Sequence, residues 1–99
     1  MLEMDKTALL IVDIQGVLAR TVYEANLIYG NWQKLIKAAQ LFQLPIVLME
    51  QNPRGLGPTI PELRELLGDL PAIEKMTFNA CLNEEFLKRL REIGREQIL

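Results

Sequence analysis

The sequence predicts a three-layer α/β/α domain on a parallel sheet, and three observations carry that expectation. The first is the run Leu9-Leu10-Ile11-Val12, which ends in Asp13. A continuous apolar stretch with β-branched members reads as a strand covered on both faces, as parallel strands are. The second is that two further apolar runs end in polar residues, Ile46 to Met49 in Glu50-Gln51 and Ala72-Ile73 in Glu74-Lys75. The third is the alternation of these runs with stretches of helical period, which implies right-handed crossovers and parallel pairing. Open α/β sheets place their chemistry at the carboxyl ends of strands. With the three strands parallel, Asp13, Glu50 and Lys75 are expected on one rim.

The elements follow in order. After the first strand, Gly16 to Ala25 reads as irregular. A helix is predicted from about Asn26 to Phe42, because Ile28, Trp32, Leu35, Ile36, Ala39 and Phe42 recur as one apolar stripe while Lys34, Lys37 and Gln40 take the wet face. Leu44-Pro45 ends it and opens the second strand. Asn52 to Pro58 holds two prolines and two glycines and reads as a loop. Thr59 and Glu62 have capping-box spacing, with Pro61 tolerated in the first turn, so a short helix runs to Leu67 and stops at Gly68. A brief third strand covers Ala72 to Met76. The last helix is capped by Asn83, has Glu84 and Glu85 at its positive end, buries Phe86, Leu90 and Ile93, and ends at Gly94. Gln97-Ile98-Leu99 read as the opening of a fourth strand.

Composition narrows the function classes. Ninety-nine residues hold one domain at most, and 49% are hydrophobic, enough to bury a core. A net charge of −2 with no basic tract argues against a nucleic-acid partner. No apolar run approaches a membrane span of about 20 residues. One cysteine and no secretory-type start predict a reduced, cytoplasmic protein. Histidine is absent, which removes the commonest acid/base residue and the commonest metal ligand. The sheet is expected to continue past Leu99, so residues 1–99 read as the N-terminal portion of one incomplete domain. Such a chain is not expected to be a stable monomer: its partners would be the remainder of its own domain and further copies in a homo-oligomer.

The candidate chemistry sits at strand ends. Asp13 reads either as a carboxylate capping the next turn or as a base, metal ligand or nucleophile; Gln15 and Gly16 just beyond suggest a backbone turning closely under a ligand. Lys75 reads as a solvated lysine or as a cation stabilising a developing anion. Glu50 lacks suitable companions for a metal, since Gln51 and Asn52 are poor zinc ligands, and no metal or other cofactor is expected. Cys81, flanked by Ala80 and Leu82, reads as a packed thiol. Gly55-Leu56-Gly57-Pro58 lacks the residues of a phosphate-cradling loop. Trp32, Phe42 and Phe86 read as core.

Taken in order, Leu10-Ile11-Val12-Asp13-Ile14-Gln15, Glu50-Gln51-Asn52-Pro53, Gly57-Pro58-Thr59, Pro61-Glu62-Leu63, and Lys75 followed by Phe78-Asn79-Ala80 resemble the isochorismatase-like cysteine hydrolases over essentially the whole chain. The resemblance implies a Rossmann-like sheet and a triad of aspartate, lysine and cysteine. Asp13 matches the aspartate that takes the thiol proton, and Lys75 the lysine that steadies the charges. The cysteine attacks a carbonyl or related carbon of a small-molecule substrate, such as an amide, and the intermediate is hydrolysed. The family's cysteine follows the fourth strand, a position beyond Leu99, and Cys81 does not match it. Gln15 and Asn79 are assigned to substrate binding. Nicotinamidases of this family also hold a metal with an aspartate and histidines, where this chain has Glu50 and Asn52. Two other readings stand beside the hydrolase. One is a non-catalytic subunit or scaffold. The other is a haloacid dehalogenase-type phosphotransferase with Asp13 as acceptor, in which Gln15 replaces the second carboxylate.

Overall fold

Four parallel strands run in the order β3-β2-β1-β4, with β1 at Thr7–Val12, β2 at Ile46–Gln51, β3 at Ala72–Lys75 and β4 at Gln97–Ile98. The structure, a computed structural model, describes all residues from Met1 to Leu99. β1 and β2 pair from Leu9↔Ile46 to Val12↔Met49, and β2 and β3 from Leu48↔Ala72 to Gln51↔Lys75. β4 meets only Thr7 and Ala8. Between the strands lie α1 (Gly16–Arg20), α2 (Ala25–Leu41), α3 (Pro53–Leu56), α4 (Pro61–Leu67), a 3₁₀ turn (Ala80–Leu82) and α5 (Glu84–Ile93).

Side chains alternate across each strand, and the period of two sorts them into two cores. Leu9, Ile11 and Leu48 face one way and pack with Tyr29, Ile36 and Ala39 of α2 and with Leu63 and Leu67 of α4. Val47, Met49 and Ile73 face the other way, against Phe86 of α5, with Leu87, Leu90 and Ile93 around it. Helices therefore cover both faces, and the predicted three layers are present. Fully burying a side chain such as Leu48 or Met49 stabilises by about 1.5–3 kcal/mol. No helix is long and apolar enough to cross a membrane.

Several local expectations are corrected. The segment after β1 is not irregular: Gly16–Arg20 is helical, and the Tyr29 hydroxyl donates to the Ala19 carbonyl at 2.6 Å. β2 runs two residues further than its apolar pattern, because Glu50 and Gln51 pair with Glu74 and Lys75. The loop after it contains the helical turn α3. Thr59 does not cap α4, whose N-cap residue is Ile60 without a side-chain bond. The stripe of α2 is also displaced. Phe42 is 53% exposed because the chain turns toward the sheet through Gln43 in a left-handed conformation, so Leu44 packs on the core in its place. Leu35 also lies at the surface, and Tyr29 is buried. α5 forms as expected, with Asn83 Oδ1 accepting from the Phe86 N–H at 2.8 Å and Gly94 closing it at φ 65°.

Candidate active site

β1 hands over to α1 through Asp13, whose φ of 60° lies in the left-handed region that aspartate tolerates better than most residues. Its N–H still donates to the Met49 carbonyl at 3.2 Å, so the turn begins while the residue is held against β2. Lys75 closes β3 two strands away. Its side chain is only 1% exposed, and Nζ donates to Asp13 Oδ2 at 3.1 Å, Gln51 Oε1 at 2.5 Å and the Thr77 carbonyl at 3.2 Å. An ammonium has three N–H groups and all three find acceptors, which is the condition for burying a lysine. Asp13 is 37% exposed at the side-chain level, yet its Oδ1 is buried and has no hydrogen-bond partner. A buried acceptor left unmade costs about 1–3 kcal/mol, so Oδ1 is the Asp13 oxygen that remains open to a further donor.

The other predicted residues take different places. Gln15 is 1% exposed; its Nε2 donates to the carbonyls of Gln51 (3.0 Å) and Gly57 (2.7 Å), and its Oε1 accepts from the Gln51 N–H at 2.6 Å. Both amide protons are engaged inside the fold, so Gln15 ties the end of β2 to the following loop from behind the rim. The same loop is pinned where Gly16 donates to the Pro58 carbonyl at 3.1 Å. Gly16 has φ +43°, and a Cβ there would lie 2.3 Å from the Leu56 carbonyl oxygen, so only glycine lets the two segments approach so closely.

Glu50 is at the carboxyl edge, but the period of two turns it to the face opposite Lys75. Its Oε2 accepts from the Thr59 N–H (2.6 Å) and hydroxyl (2.7 Å). With Glu50 Oε2 committed to Thr59 and no histidine among residues 1–99, these residues do not fit a nicotinamidase-type metal, and no step passes through one. Asn79 is exposed and uses Oδ1 to accept from the Cys81 N–H at 3.0 Å, capping the 3₁₀ turn. Cys81 is exposed on that turn, which corrects its reading as a packed thiol.

Two rim residues escaped the sequence reading, Gln51 and Thr77. Gln51 was legible: a strand that continues through Glu50 must put Gln51 on the opposite face, the face of Met49 and Lys75. Thr77 acts through a backbone carbonyl, which carries no sequence signal. A further cluster lies at α1. Arg20 forms a bidentate pair with Glu62 of α4, one contact being Nη2 to Oε1 at 2.7 Å, and its guanidinium lies 4.9 Å from the centroid of the Tyr29 ring. The Arg20 hydrogen bonds hold the Glu62 carboxyl down at about 2, and the Glu62 hydrogen bond pushes Arg20 above its ordinary value.

A parallel sheet covered by helices on both faces makes this an α/β/α protein, and at the carboxyl edge of the sheet a carboxylate is paired to a buried lysine. The family follows from comparison. The family model described as the isochorismatase domain matches residues 7–99, and the chain belongs to the isochorismatase family. Isochorismatase domain-containing protein 2 of Danio rerio is 37% identical over 57 residues, covering 58% of this chain and 29% of that protein. Among solved structures, the MAR1 ribonuclease of Caenorhabditis elegans superposes with a TM-score of 0.85 at 28% identity, over 98% of this chain and 50% of its own. The YcaC gene product of Escherichia coli, an octameric hydrolase of unknown specificity, superposes with a TM-score of 0.84 at 29% identity, again over 98% and 50%. The chain thus spans about half the length of these solved relatives and less of the zebrafish protein. Family membership overturns the dehalogenase-type reading of Asp13, and Gln15, with both amide protons bound internally, supplies no second acid there.

Proposed function

We propose that Asp13 and Lys75 are the acid–base half of a cysteine-dependent hydrolase acting on a small amide or a related carbonyl compound. The observation that carries this reading is the pairing of Asp13 Oδ2 with the Lys75 ammonium while Oδ1 stays buried and unpartnered. Oδ1 is the oxygen that no group of this chain engages. In the proposed reaction it takes the proton of a cysteine thiol, and the sulfur attacks the substrate carbonyl carbon to give a tetrahedral oxyanion. The carboxyl group then returns the proton to the departing amine, leaving a thioester. Water, losing a proton to Asp13, attacks the thioester and frees the acid and the thiol. Lys75 keeps a positive charge beside these groups through each transfer.

The nucleophile is a cysteine supplied from outside residues 1–99, because the family resemblance places it after the fourth strand and Cys81 lies on an exposed turn. Gln15 serves as a brace for the rim and Asn79 as a contact at its outer edge. Self-association belongs to the same reading. It is supported by the octameric state of the YcaC relative and by Met76, Phe78 and Leu82, whose large apolar side chains stand exposed just after Lys75. A reduced, cytoplasmic setting suits the free thiol of Cys81.

The test is turnover of a panel of small amides by the whole protein. Asp13→Asn and Lys75→Met each lower turnover at least ~100-fold, the lower range for a positioned acid or base, and the double variant loses little more. Cys81→Ser retains activity, whereas thiol alkylation of the whole protein abolishes it. Full activity in Asp13→Asn refutes the reading. Absence of any turnover, with no response to alkylation, would favour the scaffold.

A further inference from the structure

β2 is the middle of the three strands whose ends form the rim, so any contact between Asp13 after β1 and Lys75 at the end of β3 must pass over the end of β2. The residue there is Gln51. It is the register partner of Lys75 and shares its face of the sheet with Met49 and Ile73. Gln51 is itself buried, and its backbone is fixed from both sides, the N–H donating to Gln15 Oε1 and the carbonyl accepting from Gln15 Nε2. The side chain thus leaves a rigid anchor and ends 2.5 Å from Lys75 Nζ. Its orientation is settled by chemistry: an ammonium only donates, so the amide oxygen must face it.

We propose that Gln51 is a positioning residue that holds the Lys75 ammonium in place for Asp13. The neutral amide is what the position requires. An apolar residue there would leave one buried N–H of Lys75 unsatisfied, and the ammonium would swing toward water. A carboxylate would satisfy the N–H but compete with Asp13 for the positive charge. Glutamine supplies an acceptor without a rival charge, so Asp13 remains the only anion bonded to Lys75. The consequence for turnover rests on the hydrolase reading given above; the positioning itself does not.

The decisive measurement is proton exchange at Lys75 Nζ in the whole protein carrying nitrogen-15-labelled lysine, with the resonance assigned by its loss in Lys75→Arg. In the unmodified protein the ammonium protons exchange slowly. In Gln51→Met, which keeps length and burial but not the acceptor, exchange quickens at least ~10-fold, as expected for loss of one charge-assisted hydrogen bond. Gln51→Glu retains the slow signal yet lowers kcat with KM little changed, because the ammonium is drawn off Asp13. Unchanged exchange in Gln51→Met overturns the proposal, and so does unchanged kcat in an active Gln51→Glu protein. If Gln51→Met fails to fold, Gln51→Glu still decides. Should the unmodified protein show no turnover at all, the hydrolase reading fails while the exchange measurement still judges Gln51.

Discussion

Replacing Asp13 with asparagine destabilises the fold more than replacing Lys75 with methionine, although each removes one member of the same ion pair. The asymmetry comes from burial. Lys75 is 1% exposed and Asp13 37%. Asp13→Asn leaves a buried ammonium without a counter-charge, a change in the class that costs about 3–5 kcal/mol when fully enclosed. The asparagine oxygen, Gln51 Oε1 and the Thr77 carbonyl still accept from Nζ, which brings the expected loss to about 2–3 kcal/mol. Lys75→Met leaves a carboxylate on a side chain that is 37% exposed and can turn toward water, and strands chiefly Gln51 Oε1, for about 1–2 kcal/mol. The double variant has no stranded charge, so its cost falls short of the sum of the two single costs. Urea unfolding of the whole protein measures all three. With an m-value of about 2 kcal/mol/M, the midpoint falls by roughly 1–1.5 M for Asp13→Asn and 0.5–1 M for Lys75→Met, at constant m. A larger loss for Lys75→Met, or strict additivity, refutes the argument that a buried ammonium depends on Asp13.

Two other outcomes are expected from the structure. Gly16→Ala places a Cβ 2.3 Å from the Leu56 carbonyl oxygen at φ +43° and lowers the melting temperature, whereas Gly30→Ala, with nothing within 4 Å and a helical backbone, raises stability by about 0.5–1 kcal/mol; thermal unfolding of the pair checks both signs. The Glu62 carboxyl is held at about 2, below its ordinary 4.5, so its pairing with Arg20 contributes stability that is present above about pH 4.5 and lost as pH falls toward 2. The stability gap between the natural protein and Arg20→Met, followed by unfolding at a series of pH values, therefore closes across that window and narrows with added salt, since the pair is half-exposed.

Much of the architecture was legible because it rests on periodicity. Apolar runs ending at Asp13, Glu50-Gln51 and Lys75 marked three parallel strands, and the Asn83 and Gly94 caps bounded α5. What escaped was set by tertiary contact. The helical turn at Gly16–Arg20 is held by Tyr29 from the next helix and by Glu62 and the close passage of Leu56, both distant in sequence. Thr59 has the spacing of a cap, but a buried carboxylate competes for its hydroxyl and wins, because Glu50 has no other partner for Oε2 inside the sheet. Phe42 follows the α2 stripe by number and leaves it by geometry, since the chain has already turned at Gln43.

The site was half legible for a reason internal to strands. Ending β2 at Met49 treats Glu50 and Gln51 as loop residues with free orientation, and the acidic one attracts attention. Extending β2 through its pairing with β3 removes that freedom. Successive residues must then face opposite sides, so only one of the two can join Asp13 and Lys75. The apolar pattern decides which: Val47 and Met49 share the α5 side with Ile73, so Gln51 and Lys75 lie there together and Glu50 is sent to Thr59. The charge that stayed beside Lys75 is Asp13 alone, and the neutral side chain between them keeps it so.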